Sequence, residues 1–152
     1  MAKLKFVDTE MKEAIEEQLG RVNHQTAALW ATDCAEHILH YFEQKCPQDN
    51  RPRKAIETGR AWVRGEIGVG EARKAAFEAH AAAREATDHE AIAAARAAGQ
   101  AVSTAHMFGH AIHATTYAVK AVTYATNFDA VAVANERTWQ YQHLLGLMKS
   151  NG

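Results

Sequence analysis

Three histidines come closest to a chemical motif in this sequence: His106, His110 and His113, in the run HMFGHAIH. On one continuous helix these positions share a face, so the three imidazoles would point the same way. Two neighbouring neutral imidazoles, here His106 and His110, can bind zinc or another first-row metal if further ligands come from elsewhere. His80 and Asp33 are the outside contributors. No Glu follows the first His as in HExxH metalloproteases, and no Glu-x-x-His of the di-iron carboxylate kind occurs. Nine histidines in mostly helical sequence also produce such spacings by chance. Histidines hydrogen-bonded inside the fold explain the pattern with fewer assumptions, and no cofactor is expected.

A second cluster, Trp30, Asp33, His37 and His40, has spacings of three, four and three. Asp33 beside a helical Trp is either part of a pocket wall or an anchor for an arginine from another helix. Arg51, Arg53, Arg84 and Arg96 are the available partners. A buried Arg–Asp pair would chiefly fix geometry, because desolvation offsets much of its attraction. Nucleophile chemistry has little to build on. Ser103 and Thr104 near His106, or Cys34 near His37, lack any flanking signal of an oxyanion hole. The glycines of GEIGVGEAR follow no strand and precede no Lys-Ser/Thr pair, so they make no phosphate loop.

The elements that must position these residues are helices. The chain has 152 residues, of which 32 are alanine, with two prolines and nine glycines. Alanine is the best helix former, and its small side chain lets helix backbones approach closely. An all-α single domain spanning 1–152 is expected, a bundle of about six helices. The periodicity places them at 9–19, from Asn23 to about Gln44, from Arg51 to about Glu66, at 70–86, over 89–126 and at 128–148. Asn23, Asp49 or Asn50, Asp88 and Asn127 are the expected caps, and Pro52 suits a first turn. The 89–126 stretch, the long histidine-bearing central segment, exceeds a typical helix, so a split near Gly99–Ser103 is expected, with a single bent helix as the alternative.

Charge narrows the function classes. The 17 basic and 18 acidic residues give a net charge near −1, which argues against a nucleic-acid binder. Residues 51–74 are locally basic, a patch that either meets an acidic partner or is balanced by the acidic first helix. From Ala97 to Val119 no Asp, Glu, Lys or Arg occurs, but eight His, Thr, Ser and Gln residues make a buried helix a better reading than a membrane span. The charged N-terminus is unlike a secretory signal, and Cys34 and Cys46 match no metal or redox spacing, so a cytoplasmic protein is expected.

Several stretches in order carry a resemblance. They are LWATDCAE at 29–36, DNRPRKAIE at 49–57, RAWVRGEI at 60–67 and AHAAAR at 79–84, followed by Thr104-Ala105-His106, His110 and Tyr117-Ala118. Together, over about residues 24–125, the sequence resembles the immunity-5-like family of small bacterial immunity proteins. The resemblance implies an α-helical protein that neutralises a cognate toxin by binding it; it supplies no catalytic residues.

Two classes of function follow. The first is a non-enzymatic toxin-binding protein, with Trp62, Arg60 and Arg64, or Trp139 and Tyr141, as interface anchors. The second is a small-molecule-binding or metal-dependent helical enzyme, with Asp33, His80, His106 and His110 lining a buried polar pocket. Trp30, Arg51, Arg53, Trp62 and Arg84 complete the candidate binding residues. The apolar C-terminal helix, with Trp139, Leu144, Leu145, Leu147 and Met148, also suggests a homodimer.

Overall fold

The computed structural model describes residues 4–150, which form helices and connections with no strand. The elements are α1 (Met11–Leu19), α2 (His24–His37), α3 (His40–Glu43), α4 (Arg51–Val63), α5 (Val69–Glu85), α6 (His89–Ser103), α7 (His110–Ala125) and α8 (Ala130–Ser150). Seven are full helices and α3 is a single turn, so the bundle has one more helix than the six expected.

The added helix comes from the 89–126 stretch, which is two helices joined by Thr104–Gly109. The split lies just beyond the Gly99–Ser103 position expected from the sequence. At this end of α6 the Ser103 and Thr104 hydroxyls donate to the carbonyls of Gly99 (2.8 Å) and Gln100 (3.4 Å). His24 then pins the connection from outside, its Nε2–H donating to the Thr104 carbonyl. The expected 23–44 helix is also interrupted. It stops at His37 and resumes as α3, and Ile38, Leu39 and Phe42 around the break are all buried.

The caps are partly as expected. Asn23 accepts from the Thr26 N–H at 2.7 Å and opens α2. Asp49, not Asn50, accepts from the Arg51 N–H at 3.1 Å, with Pro52 in the first turn of α4. Asp88 makes no side-chain cap bond to α6. Asn127 does not cap α8 either. Asn127 and Phe128 both take left-handed backbone, at φ 53° and 64°, and Asp129 makes the cap by accepting from the Val131 N–H at 3.1 Å.

α6 occupies the middle, packed against α2, α3, α4, α5 and α7, while α8 covers α1, α2 and α7. The central rod is therefore not the histidine-bearing segment: α6 has only His89, at its first residue, and His110 and His113 belong to α7. Most of the buried hydrophobic side chains are alanine, including Ala91, Ala94, Ala97, Ala98 and Ala101 along α6. Each alanine buries little apolar area, so stability here comes from close-packed backbones more than from large side chains. Two glycines mark the tightest approaches. A Cβ on Gly59 would lie 3.0 Å from Thr32 Oγ1, and one on Gly99 would lie 2.7 Å from the His80 ring.

Of the apolar α8 residues that suggest a dimer face, Leu144 is buried, Trp139, Leu147 and Met148 lie half-buried against the core, and Leu145 is half-buried. Among the described residues no helix is long and apolar enough to cross a membrane. Cys34 is buried and Cys46 half-buried, both free; burial pushes both thiols above their ordinary range, helped by nearby carboxylates.

Candidate functional site

The richest concentration of polar chemistry lies where α2, α3, α4 and α8 meet. Asp33 and Glu36 are one turn apart on α2, and Arg53 and Arg60 are two turns apart on α4, so two stripes of opposite charge face each other. Arg60 donates from Nη2 to Asp33 Oδ1 (2.9 Å) and makes a two-pronged contact with Glu36, at 2.8 and 3.0 Å. Arg53 bridges the same Glu36 (2.8 Å) to Glu43 of α3, where it is again two-pronged, at 2.8 and 3.1 Å. The Arg60 hydrogen bonds, with the charges of Arg60 and Arg53, hold the Glu36 carboxyl below the usual carboxylate range despite its partial burial.

α8 continues this network with residues one and two turns apart. His143 Nε2–H donates to the second oxygen of Asp33 at 2.8 Å. His37 of α2 pairs through Nδ1 with Glu136 Oε2 at 3.0 Å. Between the two imidazoles lies Trp139, its ring centroid 3.6 Å from His37 and 5.0 Å from His143, with interplanar angles of 8° and 7°. Glu136 is 8% exposed, and its burial raises the carboxyl above its ordinary value even though His37 pulls the other way. Each histidine is thus oriented by a carboxylate and stacked on an indole. Such a ladder locks the relative positions of three long helices.

A second network, inside the core, joins the N-terminal segment to α7 and α8. Arg137 is fully buried, yet all five of its N–H donors are answered. Asp8 takes two at 2.7 and 3.0 Å, Thr115 Oγ1 and Gln140 Oε1 take one each at 3.1 and 2.9 Å, and Thr116 Oγ1 takes the last at 2.7 Å. Gln140 passes its amide to the Thr115 carbonyl at 3.0 Å and its own carbonyl receives Trp30 Nε1–H at 2.9 Å. Burial alone would raise Asp8, but hydrogen bonds and charge from Arg137 hold it below its ordinary value.

The third feature is a small groove of about 130 Å³ between α5 and the Thr104–Gly109 connection, lined by Arg73, Ala76, Phe77, His80, Ser103 and His106. His80 accepts at Nδ1 from Arg96 Nη1 (2.8 Å), which leaves its own proton on Nε2. Burial, with the charges of Arg96 and Arg84, lowers His80 to about 4, so it is neutral near pH 7.

These positions correct several expectations. His106 is exposed on the connection, His110 Nδ1–H donates to Gln100 Oε1 at 2.6 Å, and His113 is exposed on α7, so the three do not share a helical face. His110 is held below its ordinary value by burial and by His113 and His106. Among the described residues no group of three His, Cys, Asp or Glu is placed to hold a metal ion. The proposed pocket of Asp33, His80, His106 and His110 is not formed: only His80 and His106 share a groove.

Asp33 does grip an arginine, but it is Arg60, not Arg51, Arg53, Arg84 or Arg96. Arg53 joins the network only through Glu36, and Arg51 pairs with Asp49 (2.7 Å) and Glu85 (3.0 Å). Arg84 is exposed. Trp30 is fully buried, not a pocket wall. Trp62 is half-buried with its centroid 4.8 Å from the His24 ring. In the basic 51–74 patch, Arg53 and Arg60 are answered by acids on α2 and α3, Arg51 by Asp49 and Glu85, and Arg64 by Glu66, none of them on α1.

Sequence reasoning missed Glu136, His143 and Arg137. Their signal was the rarity of charge in the second half of the chain: Glu136 and Arg137 are adjacent carboxylate and guanidinium in a largely apolar helix, and such groups are buried only when answered.

No curated protein and no solved structure matches this chain. A family model matches residues 17–147, from the end of α1 to the last turns of α8, and so takes in the whole α2–α4–α8 network. The chain belongs to the family described as "Imm-5 like putative immunity protein".

Proposed function

We propose that this protein is an immunity-type inhibitor that binds and neutralises a cognate bacterial toxin in the cytoplasm without catalysing a reaction. The observation that carries the reading is the family assignment over residues 17–147. The local chemistry is in keeping with it. Both oxygens of Asp33 are engaged, Glu36 accepts three guanidinium hydrogen bonds, and each stacked histidine already has a carboxylate partner. Groups committed to one another in this way brace a surface. A protein braced so can dock a partner with little rearrangement, which is the usual behaviour of tight inhibitors.

The test is co-expression with the toxin encoded beside the gene in a sensitive host, together with a titration of the purified pair. Survival and a one-to-one complex are expected, with toxin activity returning once toxin exceeds inhibitor. No protection and no complex would overturn the reading. Protection at far below one equivalent would also overturn it, because that would be catalytic inactivation.

A further inference from the structure

Of the nine arginines in the chain, seven donate side-chain hydrogen bonds to other residues of the same protein. Arg73 and Arg84 are the two for which the described residues provide no such partner, and both are exposed on α5. Between them lies Phe77, whose side chain is 73% exposed.

The helical period explains the geometry. At about 100° per residue, Arg73 at i−4 and Arg84 at i+7 fall within about 40° of Phe77 and on the same side of it. His80 at i+3 lies on that side too, towards the groove that Phe77 shares with Ser103 and His106. The acidic residues of α5, Glu71, Glu78 and Glu85, fall on the opposite flank, about 80–120° away. No carboxylate lines the groove. Met107, next to His106, is 57% exposed.

An aromatic ring in water between two uncompensated guanidinium groups has the composition that dominates protein–protein hot spots. We propose that this face of α5 is where the toxin docks, and that the toxin presents to it an acidic surface with an apolar socket for Phe77. The proposal rests on the toxin-binding reading and assigns its surface and the chemistry of its partner. Carboxylates of the partner would take Arg73 and Arg84 in the two-pronged geometry that Arg53 and Arg60 already show internally. The positive face would also speed encounter with an acidic partner. The α2–α4–α8 network suits this role less well, because a partner would have to displace ion pairs already made.

The experiment is calorimetric titration of the full chain with the toxin encoded beside its gene, carrying an inactivating substitution. The variants are Phe77→Ala and the double variant Arg73→Glu/Arg84→Glu, with Arg21→Glu as a charge reversal elsewhere on the surface. All substituted side chains are exposed, so thermal melts should match wild type. Phe77→Ala and the double variant should each weaken binding by at least about thirty-fold, the loss typical of a hot spot. Arg21→Glu should change it less than about three-fold, the range of a surface pair. Wild-type affinity should fall as salt rises. If wild type binds and both test variants bind equally well, the α5 face is refuted while toxin binding stands. If wild type does not bind, both fall.

Discussion

Gly99→Ala is the sharpest probe of how this protein is packed, because one methyl group should act with opposite signs in two backgrounds. An ideal Cβ on Gly99 would meet His80 Cε1 and Nε2 at 2.7 Å and Cδ2 at 3.0 Å. The ring cannot swing away freely, since its Nδ1 accepts the Arg96 guanidinium at 2.8 Å. Replacing a mid-helix glycine by alanine should by itself stabilise by about 1 kcal/mol. Overpacking against the ring costs about 1–3 kcal/mol, and disturbing the Arg96 hydrogen bond adds about 1 kcal/mol. The net expectation is a loss of about 1–3 kcal/mol. In a His80→Ala background the clash disappears, and the same substitution should instead stabilise by about 1 kcal/mol.

Urea unfolding of the four proteins at pH 8, where His80 is neutral in both states, measures the cycle. Equal effects of Gly99→Ala in the two backgrounds would refute the close approach of α5 and α6. The same residue predicts a pH signature. His80 drops to about 4 in the fold from 6.5, so the unfolded chain takes up the proton first. The stability gained by keeping it neutral is complete above about pH 6.5 and falls away as the pH drops towards 4, levelling below. Because the ring is only half-buried, a loss of about 1 kcal/mol is expected, and His80→Ala should lack it.

Asp8→Ala should be far more costly, about 3 kcal/mol or more, because it strands the fully buried Arg137 without its carboxylate; a cost under 1 kcal/mol in the same urea assay would contradict the five-donor network. As Asp8 lies below its ordinary value in the fold, its contribution is present at neutral pH and lost on acidification below the usual carboxylate range; the Asp8→Ala variant should show a correspondingly flatter acid limb. Asp33→Asn should cost only about 1 kcal/mol, since the Asp33, Arg60 and His143 side chains remain 21%, 28% and 31% exposed; an effect equal to that of Asp8→Ala would mean the two networks are misranked. Elemental analysis of protein purified without a His tag should find zinc well below one equivalent, with an unchanged Tm on chelation, because His106 and His113 are exposed and His110 is bonded to Gln100; stoichiometric zinc would overturn this arrangement.

Much of the fold was legible because its signals are local. Asn23, Pro52 and the alanine-rich stretches act through their own turn of backbone, so the starts of α2 and α4 and the all-helical class could be read directly. Breaks were harder to place. Just beyond the end of α6, the Thr104 carbonyl is held by His24, which is distant in sequence. Asn127 was a sound cap by type, but the chain takes left-handed backbone there and hands the role to Asp129. The candidate site was half visible. Asp33 beside Trp30 reads either as a pocket wall or as an arginine anchor, and both that choice and the selection of Arg60 over four other arginines depend on which turn of α4 faces α2.

What the sequence determined alone is the helical class, most helix starts and the charge asymmetry between the two halves, since propensity, capping and periodicity act within a few residues. Tertiary structure decided which charges meet. Whether Arg137 is an exposed cation or a buried, five-bonded anchor depends on Asp8, 129 residues away in sequence. Whether Arg73 and Arg84 stay uncompensated beside Phe77 depends on which acids the packing of neighbouring helices brings near. Ion pairing is set by distances between elements, and those distances exist only once the alanine-lined helices have closed on one another.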